Sequence, residues 1–277
     1  MKLSINCSGR LLSLDTPIVM GIINVNEDSF YVDSRANTVE LVLAKASSML
    51  QDGASILDIG AMSSRPGATI IDERTEMNRL IPMIQAIMQT FPEVIISVDT
   101  IRGSVAKVCV DHGASIINDI SGGDFDNTMI ETVADLKVPY IMMHMQGVPA
   151  DMQQNPTYDD VVLDILKYFV KKIHSAKEAG IRDIILDPGF GFGKTIDHNY
   201  DLMRSLEQFM IFDCPLLVGI SRKSMINKLL DISSVDALNA STALHMYALQ
   251  KGAKILRVHD VKEAIECIKI YNKLDEN

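Results

Sequence analysis

The sequence lacks the signals that mark membrane and secreted proteins. No apolar run in its 277 residues is long enough to cross a bilayer, although 47% of the residues are hydrophobic. The N-terminal stretch MKLSINCSGRLLSLD has no uninterrupted apolar core, so no signal peptide is expected. The four cysteines are scattered and form no CxxC pair. This usage is typical of reduced thiols in a cytoplasmic protein.

Basic runs are also missing. The formal net charge is −10, so neither nucleic acid nor an anionic membrane is expected as a partner. HExxH and EF-hand patterns are absent as well, which removes two common metal sites. An acidic chain can still bind an anion where it gathers a few cations locally.

One glycine-rich stretch, DPGFGFGKT at residues 187–195, resembles a phosphate-binding loop but has the wrong spacing. A P-loop has four residues between its first glycine and Gly-Lys-Ser/Thr, which places Pro188 where that glycine should be. The dinucleotide fingerprint fails too, because Gly189, Gly191 and Gly193 alternate without the final spacer. The simpler interpretation is a flexible loop after the strand that contains DIIL.

A repeated unit predicts the fold. Four segments show a helix end, a glycine, a short apolar run and a polar residue: QDGASILDIG, DHGASIINDI, EAGIRDIIL and QKGAKILRVHD. Glycine suits the left-handed position that ends a helix, and unbroken apolar runs are typical of strands buried on both faces. Predicted strands lie near 18–24, 55–59, 94–99, 115–119, 139–144, 183–187, 215–220 and 254–259. Predicted helices lie near 38–52, 72–91, 102–112, 127–136, 158–179, 198–210, 236–251 and 261–274.

This alternation predicts a single α/β domain over 1–277, folded as a (β/α)8 TIM barrel. No linker or change of composition divides the chain. Residues 2–14 are expected to form a short N-terminal hairpin under the barrel. A doubly wound open sheet is the alternative.

Polar residues end all eight predicted strands, where barrel enzymes carry their chemistry. A lone Asp or Asn there is more often a helix cap, but eight polar ends at one rim favour a polar site. The strand-end residues are Asn24, Asp58, Asp99, Asn118 with Asp119, His144, Asp187, Ser221 to Lys223, and Arg257 with His259.

Asp99, Asn118 and Asp187 lie on three different predicted strands and are expected to converge on one ligand. Buried carboxylates need donor partners, because an unpaired buried charge is costly. A flat, nitrogen-rich heterocycle with several N–H groups would supply them. A metal cluster is the other option.

Cations follow the last two predicted strands, in SRKS at 221–224 and RVHD at 257–260. Loops at these places often bind anions in barrels, although any single cation is as often a solvated surface charge. Arg65 in SSRPGA adds a third cationic loop. His259 is the best functional candidate among the histidines, and His144 fits a core position as well as a site position.

These motifs together resemble the dihydropteroate synthase family, from about residue 18 to 270 and with one motif at nearly every strand end. The motifs are MGIINVNEDSF, GAMSSRPGA, SVDT, NDISGG, MMHMQG, LDPGFGFGKT, GISRKS and RVHDV. The resemblance implies a (β/α)8 transferase of folate biosynthesis that is usually a homodimer and a target of sulfonamides. Such an enzyme joins (7,8-dihydropterin-6-yl)methyl pyrophosphate to para-aminobenzoate and releases pyrophosphate, with Mg²⁺.

The resemblance also implies roles for individual residues in a pterin pocket. Asp99, Asn118 and Asp187 would hydrogen-bond the pterin edge, and Lys223 would reach the ring. Arg257 would stack on the pterin and contact phosphate. The pocket lining implied in this way is Met142, Gly191, Phe192 and Gly219.

The remaining implied roles concern the leaving group and the second substrate. Asn24 and His259 would meet the pyrophosphate, with Asn24 also near the metal. Ser224 would lie near the aminobenzoate carboxylate. A loop formed by Ser64, Arg65 and Pro66 would help to order the second substrate.

Two loops depart from the family pattern. Asn26 and Glu27 replace a Thr-Pro pair, and Met62 replaces a Glu. These changes concern loop ordering and the aminobenzoate site rather than the pterin pocket. Two alternatives to an active synthase therefore stay open, a pterin-binding methyltransferase module and a non-catalytic pterin binder.

Overall fold

A computed structural model describes residues 3–25, 35–62, 70–149 and 151–275. Eight parallel strands close into a barrel in the order β10-β3-β4-β5-β6-β7-β8-β9, which confirms the predicted fold. The barrel strands are β3 (Ile18–Asn24), β4 (Ile56–Gly60), β5 (Ile95–Asp99), β6 (Ile116–Asp119), β7 (Tyr140–Met143), β8 (Ile184–Asp187), β9 (Leu216–Val218) and β10 (Ala253–Val258).

Helices follow the barrel strands, and a hairpin precedes them. The predicted hairpin is the antiparallel pair β1 (Ser4–Cys7) and β2 (Arg10–Ser13). The helices are α1 (Arg35–Gln51), α2 (Glu73–Thr90), α3 (Gly103–Asp111), α4 (Met129–Leu136), α5 (Val161–Ala179), α6 (Ile196–Arg204), α7 (Ser224–Leu230), α8 (Leu238–Gln250) and α9 (Val261–Asp275). A 3-10 helix spans Leu206–Phe212.

Helix α5 shows how the sequence sets these boundaries. Asp160 precedes it, and its carboxylate accepts hydrogen bonds from the backbone N–H groups of Val162 and Leu163, both at 3.0 Å. Gly180 ends the helix at φ 101°, where a side chain would be strained. The chain then turns directly into β8.

Two differences from the predicted helices have local causes. The segment predicted as one helix over 198–210 ends at Arg204 and continues as the 3-10 helix. Three residues per turn place the buried Leu206 and Phe209 on one face. Helix α7 is missing from the predicted elements, because seven residues are too few to show a helical period.

The core has two main layers. The larger one lies between the barrel and the helices. The smaller one fills the lower barrel, and the hairpin closes it from below. Each barrel strand gives this smaller layer a buried side chain; these are Met20, Ile56, Ile95, Ile116, Ile141, Ile185, Leu217 and Ile255.

Candidate active site

The floor of the site lies one step above this apolar layer. Side chains on one strand face the barrel axis at every second position, so the next inward residue on each strand is two further along. Those residues are Ile22, Asp58, Ser97, Asn118, Met143, Asp187, Gly219 and Arg257. On each strand the inward side chain therefore follows the apolar one toward the carboxyl end, and five of these eight residues are polar.

Arg257 is held across the barrel mouth by two carboxylates. Its Nε donates to Asp58 Oδ2 at 2.7 Å, and a terminal nitrogen lies 3.0 Å from Asp99 Oδ2. Asn118 donates its side-chain amide to the same Asp58 oxygen at 3.1 Å. Asp58, which is fully buried, thus joins two predicted site residues, Arg257 and Asn118, and Arg257 adds Asp99 to the network.

Asp58 stands out in the sequence only as a strand-end residue, and no role was predicted for it. Its position two residues after the buried Ile56 was the signal that could have assigned one. Within the described part of the chain, its second oxygen, Oδ1, has no hydrogen-bond partner. Asp58 therefore both orients Arg257 and leaves a buried acceptor at the floor.

Asp187 and Lys223 form the opposite side of the pocket. The backbone N–H of Gly189 donates to Asp187 Oδ1 at 2.8 Å. Lys223 donates to the Phe190 carbonyl at 2.5 Å, and its ammonium lies 4.6 Å from the centroid of the Phe192 ring. Burial lowers the pKa of Lys223 to about 8, and the nearby Asp187 carboxylate opposes this shift.

Glycines keep this wall close to the polar floor. A Cβ at Gly191 would lie 3.3 Å from Lys223 Cδ. A Cβ at Gly219 would lie 3.8 Å from Arg257 Cβ and 3.9 Å from Asp187 Oδ2. Both predicted lining glycines therefore border the charged groups, and their lack of a side chain leaves space for a flat ligand.

Burial disfavours the charged form of two site carboxylates, Asp99 and Asp187. It raises the pKa of Asp99, Arg257 opposes the shift, and neighbouring Asp58 adds to it. Burial also raises the pKa of Asp187, with Lys223 opposing. A ligand edge rich in N–H donors would satisfy these acceptors, because hydrogen bonds to the charged form favour it.

Met142 does not line the pocket. It packs in the layer between barrel and helices, whereas Met143 packs with Phe192 at the barrel mouth. Neighbouring residues of a strand point to opposite faces, and Ile141 faces the axis, so Met143 does too. The lining methionine is therefore Met143.

The two cationic motifs are largely neutralised within the fold. Arg222 makes a two-point ion pair with Asp260, at 2.8 and 2.9 Å, and binds the carbonyls of Ser234 and Val235. It ties together the loops that follow β9 and β10. Because Arg257 is paired as well, Lys223 is the cation of these motifs that has no carboxylate within ion-pair distance among the described residues.

His259 and Asn24 stand at the rim. His259 is solvent-exposed. It lines a cavity of about 290 Å³ together with Lys45 and the first residues of α9. Partial burial of its ring, with the cations Lys45 and Arg257, lowers the pKa of His259 to about 4. Asn24 is half-buried at the end of β3, on the same side of the strand as Met20 and Ile22.

Only some of the residues predicted for the second-substrate site lie within the described part of the chain. Ser224 begins α7 and lines a cavity of about 380 Å³ with Thr195 and Lys228. Met62, at the edge of the described region, packs against the apolar cluster that contains Met143 and Phe192. Five residues named from the two loops lie outside the described residues: Asn26, Glu27, Ser64, Arg65 and Pro66.

Some strand-end residues hold loops rather than a ligand. Asp119 accepts from the backbone of Ser121 and Gly123 and from the hydroxyl of Tyr140, all within 2.8 Å. His144 is buried and contacts Lys194. Asp119 therefore holds its loop, as expected of a lone strand-end Asp, and His144 occupies the core position that was one of its two expected places.

Comparison with known proteins decides the family. A sequence profile described as pterin binding enzyme matches residues 20–259. A dihydropteroate synthase of Escherichia coli K12 is 44% identical over 264 residues, which cover 95% of this chain and 93% of that protein. The chain belongs to the dihydropteroate synthase family.

Solved structures of this family agree with the barrel. The Xanthomonas albilineans dihydropteroate synthase with 4-aminobenzoic acid is 37% identical, with a TM-score of 0.92 and full coverage of both chains. A Yersinia pestis dihydropteroate synthase in a sulfonamide drug complex is 40% identical, with a TM-score of 0.93 over 99% of this chain and 100% of that one. The predicted family, activity and enzyme class, a transferase, are confirmed.

The described part of the chain lacks two further features. None of its helices is both long and apolar enough to cross a membrane. Over the same residues, no group of three or more His, Cys, Asp or Glu side chains is arranged to hold a metal ion.

Proposed function

We propose that this chain joins (7,8-dihydropterin-6-yl)methyl pyrophosphate to para-aminobenzoate, giving 7,8-dihydropteroate and pyrophosphate. The observation that carries the proposal is the set of polar side chains Asp99, Asn118 and Asp187 at the barrel mouth, beside a glycine wall. The acceptors match the N–H groups of a pterin edge, and the missing side chains of Gly191 and Gly219 leave space for a flat ring.

The cations support the departure of pyrophosphate. Arg257 and Lys223 stand at the pterin end, and the His259 ring at the rim would donate a hydrogen bond to the leaving group, so charge that develops there would be stabilised. The electron-rich dihydropterin can stabilise positive charge on its exocyclic carbon. Attack by the weakly basic aromatic amine then needs no strong general base. Holding the two flat substrates in line supplies much of the rate.

The residues present fit a Mg²⁺ ion, which would neutralise charge on the pyrophosphate. Mg²⁺ keeps several waters and is usually bound by one or two protein oxygens with substrate phosphates. Asn24 offers an amide oxygen at the barrel mouth.

The decisive experiment measures pyrophosphate release by purified protein with Mg²⁺, pterin pyrophosphate and para-aminobenzoate. Release that depends on both substrates is expected. Sulfonamides, as mimics of the second substrate, should compete with para-aminobenzoate. Pterin binding without release would instead identify a non-catalytic binder, and methyl transfer to a corrinoid partner would identify a methyltransferase module.

We also propose a cytoplasmic homodimer. All four cysteines are free thiols, which suits a reducing compartment. Leu229, Leu230 and Val235 expose 56%, 50% and 77% of their surface, and such apolar side chains suit contact with a second copy. Sedimentation should give a dimer that Leu230→Glu weakens. A monomer at micromolar concentration would contradict the dimer, and recovery of the protein from a membrane or secreted fraction would contradict the location.

A further inference from the structure

Lys194 is the lysine of the motif that resembles a P-loop, yet its ammonium points into the protein. Only 2% of its surface is exposed. The ammonium lies 2.8 Å from the Gly189 carbonyl, 3.1 Å from the Phe192 carbonyl and 3.1 Å from His144 Nδ1. An ammonium has three N–H donors, so these three acceptors satisfy it without a phosphate.

Two of these acceptors belong to the same loop as Lys194, residues 188–194, which we call the glycine loop. The ammonium at the end of the glycine loop thus hydrogen-bonds to backbone carbonyls earlier in the same loop. Gly189, Gly191 and Gly193 have φ values of 74°, 81° and 61°, a region that side chains rarely adopt. A Cβ at Gly189 would overlap the carbonyl oxygen of His144, so the loop backbone packs directly against the end of β7.

His144 anchors the loop from this neighbouring strand. Its backbone N–H donates to the Asp187 carbonyl at 3.1 Å, while its Nδ1 faces Lys194. The ring packs edge-on against Tyr168, with centroids 4.9 Å apart. To accept from an ammonium the imidazole has to be neutral, and burial lowers the pKa of His144 to about 2.

The opposite side of the glycine loop meets the site. The Gly189 N–H binds the Asp187 carboxylate, and the Phe190 carbonyl binds the Lys223 ammonium. The hydrogen bonds of the Lys194 ammonium go to the glycine loop and His144, and not to these two site side chains. Any change in the shape of the loop would therefore move two groups of the proposed pterin pocket together.

We propose that Lys194 and His144 are a positioning pair that sets the shape of the glycine loop and so aligns Asp187 and Lys223 for the pterin substrate. The proposal rests on the proposed function of the pocket. Lysine suits this task because its three donors radiate from one atom toward three acceptors. The planar guanidinium of arginine is larger and presents its donors as a fork.

The test compares Lys194→Met, which keeps the length of the side chain and removes its donors, with the exposed control Lys269→Met. Calorimetry gives the affinity for pterin pyrophosphate, and steady-state kinetics give KM for each substrate. We expect Lys194→Met to weaken pterin binding roughly ten- to hundredfold, because small misplacements of a site cost that much. KM for para-aminobenzoate, measured at saturating pterin, should stay within about twofold.

A second pair of variants decides the question if Lys194→Met does not fold. His144→Leu removes the acceptor and should weaken pterin binding, whereas His144→Asn places an amide oxygen near the position of Nδ1 and should restore most of the affinity. Unchanged pterin affinity in folded Lys194→Met or His144→Leu would overturn the proposal. The proposal would also be overturned if binding of both substrates weakened equally and in proportion to the loss of thermal stability. Wild-type protein that binds no pterin pyrophosphate would refute the proposed function itself, and the positioning role with it.

Discussion

Replacing Asp58 by Asn tests whether the buried carboxylate network holds Arg257 in place. Asp58 Oδ2 receives Nε of Arg257 at 2.7 Å, a terminal guanidinium nitrogen at 2.6 Å and the Asn118 amide at 3.1 Å. The substitution would keep the shape of the side chain but remove its charge. Arg257 would then be left with Asp99 as its only close carboxylate among the described residues.

The expected cost follows from this geometry. Breaking a buried ion pair costs about 3–5 kcal/mol, because the partner charge stays buried. Asp99 still neutralises Arg257, and the repulsion between the two carboxylates is relieved, so we expect the lower end, about 3 kcal/mol. For a chain of this size, each kcal/mol shifts the melting temperature by about 2–4 °C, which gives a decrease of about 6–12 °C.

Thermal unfolding followed by circular dichroism measures this decrease. Asp135→Asn, an exposed change of the same chemistry on α4, is the matched control and should melt like the wild type. Asp58→Asn should also lower the rate of pyrophosphate release, because Arg257 loses its orientation. A melting temperature within about 2 °C of the wild type would show that the network does not stabilise the barrel mouth.

Three further outcomes are expected. Asp187→Asn should weaken pterin binding by about 10- to 150-fold in calorimetry, since a hydrogen bond to a charged group contributes about 1.5–3 kcal/mol; unchanged affinity would remove Asp187 from the pocket. Lys223→Ala should lower pterin affinity or turnover, because its ammonium lies between the Phe190 carbonyl and the Phe192 ring, and wild-type kinetics would exclude it. Burial lowers the pKa of Lys194 from 10.5 to about 7. Between pH 7 and about 10.5 the folded state therefore binds fewer protons than the unfolded state, so the free energy of unfolding rises with pH. Urea unfolding at pH 7 and 9 should show this rise, and the same rise in Lys194→Met would assign it to another group.

The barrel could be predicted because its strands are short, apolar and buried on both faces, and because each is followed by a helix. The strand ends then placed Asp99, Asn118, Asp187 and Arg257 at one rim. The spacing of Asp58 after Ile56 could have shown that it faces the barrel axis, but not that Arg257 is its partner, because this pairing depends on closure of the barrel. Arg257 on β10 reaches across β3 to Asp58 on β4, and only the closed strand order brings these strands together.

Orientation within short segments was harder to predict. All four residues of β7 are buried, so the pattern YIMM does not show which methionine faces the axis. A shift of one residue exchanges the two faces, so the pattern could not test the assignment of Met142, which the family resemblance implied, against Met143. Arg222 and Lys223 are neighbours that point in opposite directions. Arg222 adopts φ 56° and turns outward to Asp260, while Lys223 turns into the pocket.

The glycine loop shows why spacing carries more information than composition. A P-loop turns its backbone N–H groups and its lysine toward a phosphate. Here one residue fewer separates Gly189 from Gly193, and the carbonyls of Gly189 and Phe192 point to the inside of the turn. Inward carbonyls repel an anion and attract a cation, so the lysine fills the place that a phosphate would take. The same residue types thus form a pocket wall in which the lysine binds its own loop, and we propose that the phosphates of the substrate are bound by Arg257, His259 and Asn24 instead.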